Sequence, residues 1–243
     1  MASPPDQTDF RLQKLRQVCQ ANEIRTDFAA KLRQLEGYDI VVLVDDSGSM
    51  NTPATAAAGG GGDAFARQVT RWTEVQQFAN RVVELATCLD PDGIDLRFLN
   101  RPGFSNVASM AQVAQAFSAP PSGLTPLAFA VSSILRDKAA VIIEKKLLLV
   151  IATDGQPTDS QGKVNIAEFT SVLSQRSQKV SVAIVACTDD EASVGYLNHL
   201  DKTCPGVDVC DDFLSERREV LAARGSGYAF SYGDYVVKVC GLY

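Results

Sequence analysis

The sequence predicts an α/β fold: a Rossmann-like, doubly wound and mostly parallel central sheet with helices on both faces. Three observations predict it. Short runs rich in Val, Ile and Leu alternate along the chain with longer segments of helical periodicity. Those runs are apolar throughout, not alternating, as strands buried on both faces are. Finally, the runs at 38–44 and 146–153 each lead directly into an aspartate, and in open sheets of this kind ligands sit beyond the carboxyl ends of the strands.

Taken in order, residues 8–36 place Ile24, Phe28, Leu32 and Leu35 at helical spacing, which predicts one amphipathic helix or two joined near Asn22. Residues 1–36 are expected to be a helical extension packed on a main domain of residues 37–243. The first strand is "YDIVVLV" at 38–44. After a polar, Gly-rich insertion at 51–63, residues 64–89 form a helix with Trp72, Val75, Phe78, Ala79, Val82 and Leu85 on one side. "GIDLRFLN" at 93–100 reads as a strand, and "SMAQVAQAF" and "TPLAFAVSSILRDKAAVIIEK" as helical segments. "KLLLVIATD" at 146–154 is a second apolar strand. Helical residues 164–178, a strand at 179–189, helical residues 190–202, a short "VDVC" strand and a charged helix at 213–224 follow. In the tail, Tyr228, Phe230 and Tyr232 alternate, which predicts an edge strand of the same sheet.

Composition limits what such a domain does. The 243 residues carry 23 Lys and Arg against 29 Asp and Glu, a net charge of −6, with 46% hydrophobic and 21% charged residues. This is an ordinary globular composition, and a chain of this size buries roughly 70 to 75% of its unfolded surface without needing staples. The acidic balance argues against nucleic acid and anionic membranes as main partners, since both reward clustered Lys and Arg. No apolar run approaches the roughly 20 residues that span a bilayer. The start "MASPPDQTDF" lacks the charged and apolar regions of a signal peptide, so a cytoplasmic location without membrane insertion is expected. Six dispersed cysteines in a chain this large are expected to be reduced thiols.

Three segments bring oxygen ligands to one sheet edge. The first strand delivers Asp45, Ser47 and Ser49 as D-x-S-x-S; "SGLTPLAFA" sets Thr125 at a helix start; the strand at 146–153 delivers Asp154. Two carboxylates and three hydroxyls, with no His or Cys, suit a hard octahedral dication such as Mg²⁺ or Mn²⁺ and fit Zn²⁺ or Cu²⁺ poorly. With two formal charges the donors leave the ion electrophilic, with a position for an external carboxylate. The plainer alternative is that these residues only cap a helix and begin a turn.

The segments "VDDSGSM", "GLTPL" and "ATDGQPTD" resemble, in order and spacing, the three metal-site loops of the von Willebrand factor type A domain family, which includes integrin I domains and many intracellular proteins. The similarity runs from about residue 38 to at least 190. It implies a metal-ion-dependent adhesion site in which Ser47 and Ser49 ligate directly, Thr125 directly or through water, and Asp45 and Asp154 mainly through water or by hydrogen bonds to the other ligands. The implied cofactor is Mg²⁺, with Mn²⁺ or Ca²⁺ as alternatives. The implied function is a non-enzymatic protein interaction module that takes an Asp or Glu carboxylate of another protein, as part of an intracellular, multi-subunit complex. A Mg²⁺-dependent hydrolase or phosphoryl-transfer enzyme, and a scaffold with a structural metal, stand as alternatives. The Gly-rich insertion departs from the family pattern; it is either a flap beside the metal or an inert surface insertion.

Other polar residues have plainer readings. Asp46 should point away from Asp45 and act as a surface or loop-bonding acid. Asp159, Asp189 and Asp190 read as solvated turn acids, and His199 as a surface or satisfied histidine. Cys204 and Cys210 could pair or share a metal, but two further ligands are missing nearby. "GGGGDAF" lacks the Lys-Ser/Thr ending of a phosphate loop.

Overall fold

Among the described residues, six strands form one sheet: β1 (Tyr38–Val44), β2 (Ile94–Phe98), β3 (Phe104–Val107), β4 (Lys146–Thr153), β5 (Val180–Ala186) and β6 (Val207–Cys210). Their spatial order in the computed structural model, which describes residues 7–54, 69–90 and 92–240, is β3-β2-β1-β4-β5-β6. Every neighbouring pair is parallel except β2 and β3. The chain winds outward from β1 through β2 in one direction and from β4 through β5 in the other. The crevice beyond the ends of β1 and β4 is therefore the point where strand order reverses.

Among the described residues, eleven α-helices surround the sheet: α1 (Gln7–Ala21), α2 (Thr26–Leu32), α3 (Arg71–Leu89), α4 (Met110–Ala116), α5 (Leu127–Asp137), α6 (Ala139–Glu144), α7 (Ile166–Ser174), α8 (Glu191–Val194), α9 (Leu197–Thr203), α10 (Phe213–Arg224) and α11 (Tyr232–Val239). The apolar strands divide by parity. Ile40, Val42, Val44, Leu148 and Val150 join a core with Phe28 of α2, Phe78 of α3, Val113 of α4 and Val236 of α11. Val41, Leu43, Leu147, Leu149 and Ile151 join a second core with Leu127 and Val131 of α5, Phe169 of α7 and Leu200 of α9. Each of these large side chains contributes about 1.5 to 3 kcal/mol on burial, and this two-sided demand is why the strands read as unbroken apolar runs.

The N-terminal segment divides between α1 and α2, with Glu23 at φ 53° in the break, and a 3₁₀ turn at Arg33–Leu35 leads into β1. Phe28, Leu32 and Leu35 are buried in the same core as β1. Helix α3 starts at Arg71, later than the expected 64, because Thr70 is extended and pairs with Pro53. Thr70 Oγ1 then accepts from Thr73 N at 3.3 Å as the N-cap. Residues 64–68, with most of the Gly-rich insertion, lie outside the described residues.

Two elements correct the sequence reading. β3 was not expected: "FSNV" is short and half exposed, and it forms as an antiparallel return from β2 with an irregular register. The tail is a helix, not an edge strand. Ser231 Oγ accepts from Asp234 N at 2.9 Å while Asp234 Oδ2 accepts from Ser231 N at 3.1 Å, a reciprocal cap that starts α11. Asp234 is fully buried, and its Oδ1 also accepts from Arg25 N at 2.9 Å. The aromatic alternation thus runs through the loop before the helix into its first residue, Tyr232, and Ser231 with Asp234 was the stronger local signal.

All six cysteines are buried and free. Among the described residues no helix is long and apolar enough to cross a membrane.

Replacing Asp234 by Ala strands two backbone N–H groups, so urea unfolding should show a loss of about 1 to 3 kcal/mol. Asp234→Asn, which keeps one acceptor, should lose less.

Candidate metal centre

The centre begins where β1 runs out. Asp45 N donates to Ala152 O at 2.8 Å, extending the parallel ladder to the first residue beyond Val44. The fully buried Asp45 carboxylate is held by two donors: Ser47 N at 2.9 Å on Oδ1 and Thr153 Oγ1 at 2.6 Å on Oδ2. The chain then turns through a 3₁₀ segment, Gly48–Asn51, which swings Ser49 back toward β4. Ser47 Oγ and Ser49 Oγ lie 3.0 Å apart, and Ser49 Oγ donates to Asp154 Oδ1 at 2.7 Å. Asp45, Ser47, Ser49 and Asp154 are thereby brought together across the switch point.

Thr125 arrives on a neighbouring loop. Its backbone is pinned to the loop after β4, with Thr158 N donating to Thr125 O at 2.8 Å and Thr125 N donating to Thr158 Oγ1 at 3.1 Å. Its Oγ1 lies 3.9 Å from where a Cβ on Gly155 would stand, so the hydroxyl borders the Asp154–Gly155 turn. Gly123 makes this loop possible. It has φ +118°, and a Cβ there would meet the Asn100 side chain at 2.5 Å.

Burial is graded across the set. Asp45, Asp154, Ser47 and Thr125 are buried and Ser49 is exposed, so the cluster opens to solvent on the Ser49 side. Burial pushes the Asp45 carboxyl up to about 6; hydrogen bonds from Thr153 and Ser47 oppose that rise, and the Asp154 charge adds to it. A cation among these oxygens would reverse the penalty. The donor chemistry therefore fits a hard dication. Among the described residues no group of three or more His, Cys, Asp or Glu is placed to hold a metal ion. The expected set, with two carboxylates and three hydroxyls, is of another composition.

Three participants escaped the sequence reading. Thr153 was absorbed in a strand, and Thr158 lies inside "GQPTD" without a role of its own. Arg71 carries no motif: its Nη1 donates to Asp154 Oδ2 at 2.8 Å and its Nη2 to Thr188 Oγ1 at 2.8 Å. Only the long helical period that begins beside it could have drawn attention to it.

Asp46 does point away from Asp45, and of its two expected readings it is the loop-bonding acid, not a surface one. It is fully buried, taking Asn100 N at 2.8 Å and Asn100 Nδ2 at 3.1 Å on Oδ1, and Arg101 Nε at 2.6 Å on Oδ2. Arg101 in turn donates to Ala119 O and Pro120 O, both at 2.9 Å, and its guanidinium lies 5.2 Å from the Trp72 ring centre. Ser122 N donates to Asp46 O at 2.7 Å, which ties the Thr125 loop to the same residue. Elsewhere, Asp159 closes a turn by accepting from Gln161 N and Lys163 N, Asp190 caps α8, and His199 is exposed on α9. Cys204 and Cys210 are separate free thiols.

No family model matches the chain, and no curated protein matches it. Among solved structures it is similar to the pilus adhesin SpaC from Lactobacillus rhamnosus GG, with a TM-score of 0.48 and 13% identity over 84% of this chain. This chain spans 30% of the length of that adhesin. A likeness of that degree bears on neither the site nor its function.

Arg101→Met leaves the Asp46 carboxylate buried without its charge partner and should cost about 3 to 5 kcal/mol in urea unfolding. Adding Asp46→Asn to that variant should recover part of the loss, because the buried charge is then gone.

Proposed function

We propose that the chain is a von Willebrand factor type A domain acting as a divalent-metal-dependent protein interaction module. Asp45, Ser47, Ser49, Thr125 and Asp154 would hold Mg²⁺, and a partner's Asp or Glu carboxylate would complete its coordination. The observation that carries this reading is the hydrogen-bonded run Ser47–Ser49–Asp154 with Asp45 behind it, open to solvent at one end. A hydroxyl-rich donor set of low charge supports it, because such a set supplies little of the charge a dication attracts and leaves an anionic ligand a role. The surroundings suit a protein partner. Leu124, beside Thr125, is 44% exposed and packs toward Gly162, and Val164 in the next turn is 47% exposed. Exposed apolar area of this kind beside the site is what a protein partner would bury. The partner is expected within a larger assembly, and the domain is read as a non-enzyme.

Mg²⁺ titration followed by thermal melting tests the first half. If the ion binds only the folded chain, stability should rise by about 2.7 kcal/mol at 100 times the dissociation constant, and Asp45→Ala or Ser49→Ala should abolish the rise. Capture of a partner from the native source in Mg²⁺, lost with chelator and with Asp45→Ala, tests the second half. Capture that survives both removes the metal-bridged mode.

A further inference from the structure

Arg71 occupies a position that the proposed metal function does not explain. Its guanidinium spans two strand exits, Asp154 after β4 and Thr188 after β5, and its side chain is 15% exposed against a fully buried Asp154 side chain. It already supplies one positive charge to a donor set with two formal negative charges, and like charges held close together are mutually destabilising. A dication drawing on Asp154 therefore meets a competitor built into the chain. The hold of Arg71 is incomplete, since its buried Nε has no hydrogen-bond partner among the described residues.

A second carboxylate lies within reach. Glu74 is three residues further along α3, on the spacing at which helical side chains meet. Its half-buried carboxylate has no hydrogen bond or ion pair among the described residues, and burial and the Asp212 charge push it up while Arg71 pulls it down. It borders a cavity of about 190 Å³ that Phe78, Cys187, Asp212 and Tyr232 also line. There is thus both space and unpaired negative charge to receive a guanidinium that leaves Asp154.

We propose that Arg71 is an intramolecular cation that competes with the metal for Asp154, and that Glu74 takes its guanidinium when the metal is bound. The inference rests on the metal-binding reading above. It makes metal loading an exchange of one cation for another, with Thr188 holding the displaced state in check.

The test is isothermal titration of Mg²⁺ alone into the full chain, with circular dichroism confirming the fold of each variant. Arg71→Met should tighten Mg²⁺ binding by about tenfold or more, and Glu74→Gln should weaken it by about threefold or more. Because Glu74 acts only through Arg71, the double variant should bind like Arg71→Met. Thr188→Val, which removes one anchor and no charge, should tighten binding about two- to fivefold and serves if Arg71→Met does not fold. Unchanged or weaker binding in Arg71→Met and Thr188→Val, while the parent chain binds, overturns the exchange and leaves the metal site standing. Failure of the parent and every variant to bind Mg²⁺ removes the metal reading and the exchange with it.

Discussion

Two consecutive aspartates leave the end of β1 in opposite directions, and the candidate site depends on that divergence. Asp45 faces β4 and is held by Thr153 and by the turn that presents Ser47. Asp46 faces β2 and gathers Asn100, Arg101 and, through Ser122, the loop bearing Thr125. The parallel sheet separates these two directions at the place where its strand order reverses, so one dipeptide straddles the crevice. Asp46 sets where the loops are, and Asp45 lies among the oxygens those loops bring in. Without the first, the second would face a gap of unfixed width.

The cost of this arrangement is a concentration of buried charge. Asp45, Asp46 and Asp154 are all withdrawn from water within two loops of an already acidic chain. Arg101 and Arg71 answer two of them, each through side chains that also tie down neighbouring backbone or hydroxyl groups. Of the three, Asp45 has only neutral donors among the described residues, and burial pushes its carboxyl up to about 6. The charge distribution is therefore uneven by construction: two acids are neutralised by the fold, and one is left for something else.

Much of the architecture was legible because its physics is periodic. Strands β1, β4 and β5 are mostly apolar since both faces are covered, and the five expected ligand positions lie where β1 and β4 stop and just before the α5 segment starts. What was missed had no period to betray it. β3 is four residues of mixed polarity that exist only because β2 offers an edge. The tail helix was hidden by Tyr228, Phe230 and Tyr232, whose alternation imitates a strand, although Ser231 and Asp234 already stood at capping distance. Arg71 and Arg101 were invisible because a charged side chain that reaches across 83 or 55 residues leaves no trace in local spacing.

The bond from Arg25 to Asp234 joins residues 209 positions apart. As a chain is synthesised from its N-terminus, α2 emerges well before α11, yet the acceptor that fixes the start of α2 and the cap that launches α11 are the same carboxylate. The core shared by α2, β1 and α11 is thus of high contact order and completes only once α11 has been made. Until then Phe28 and Leu32 have no finished surface to bury against, so the interval between making α2 and making α11 leaves this core open to chaperones and to aggregation.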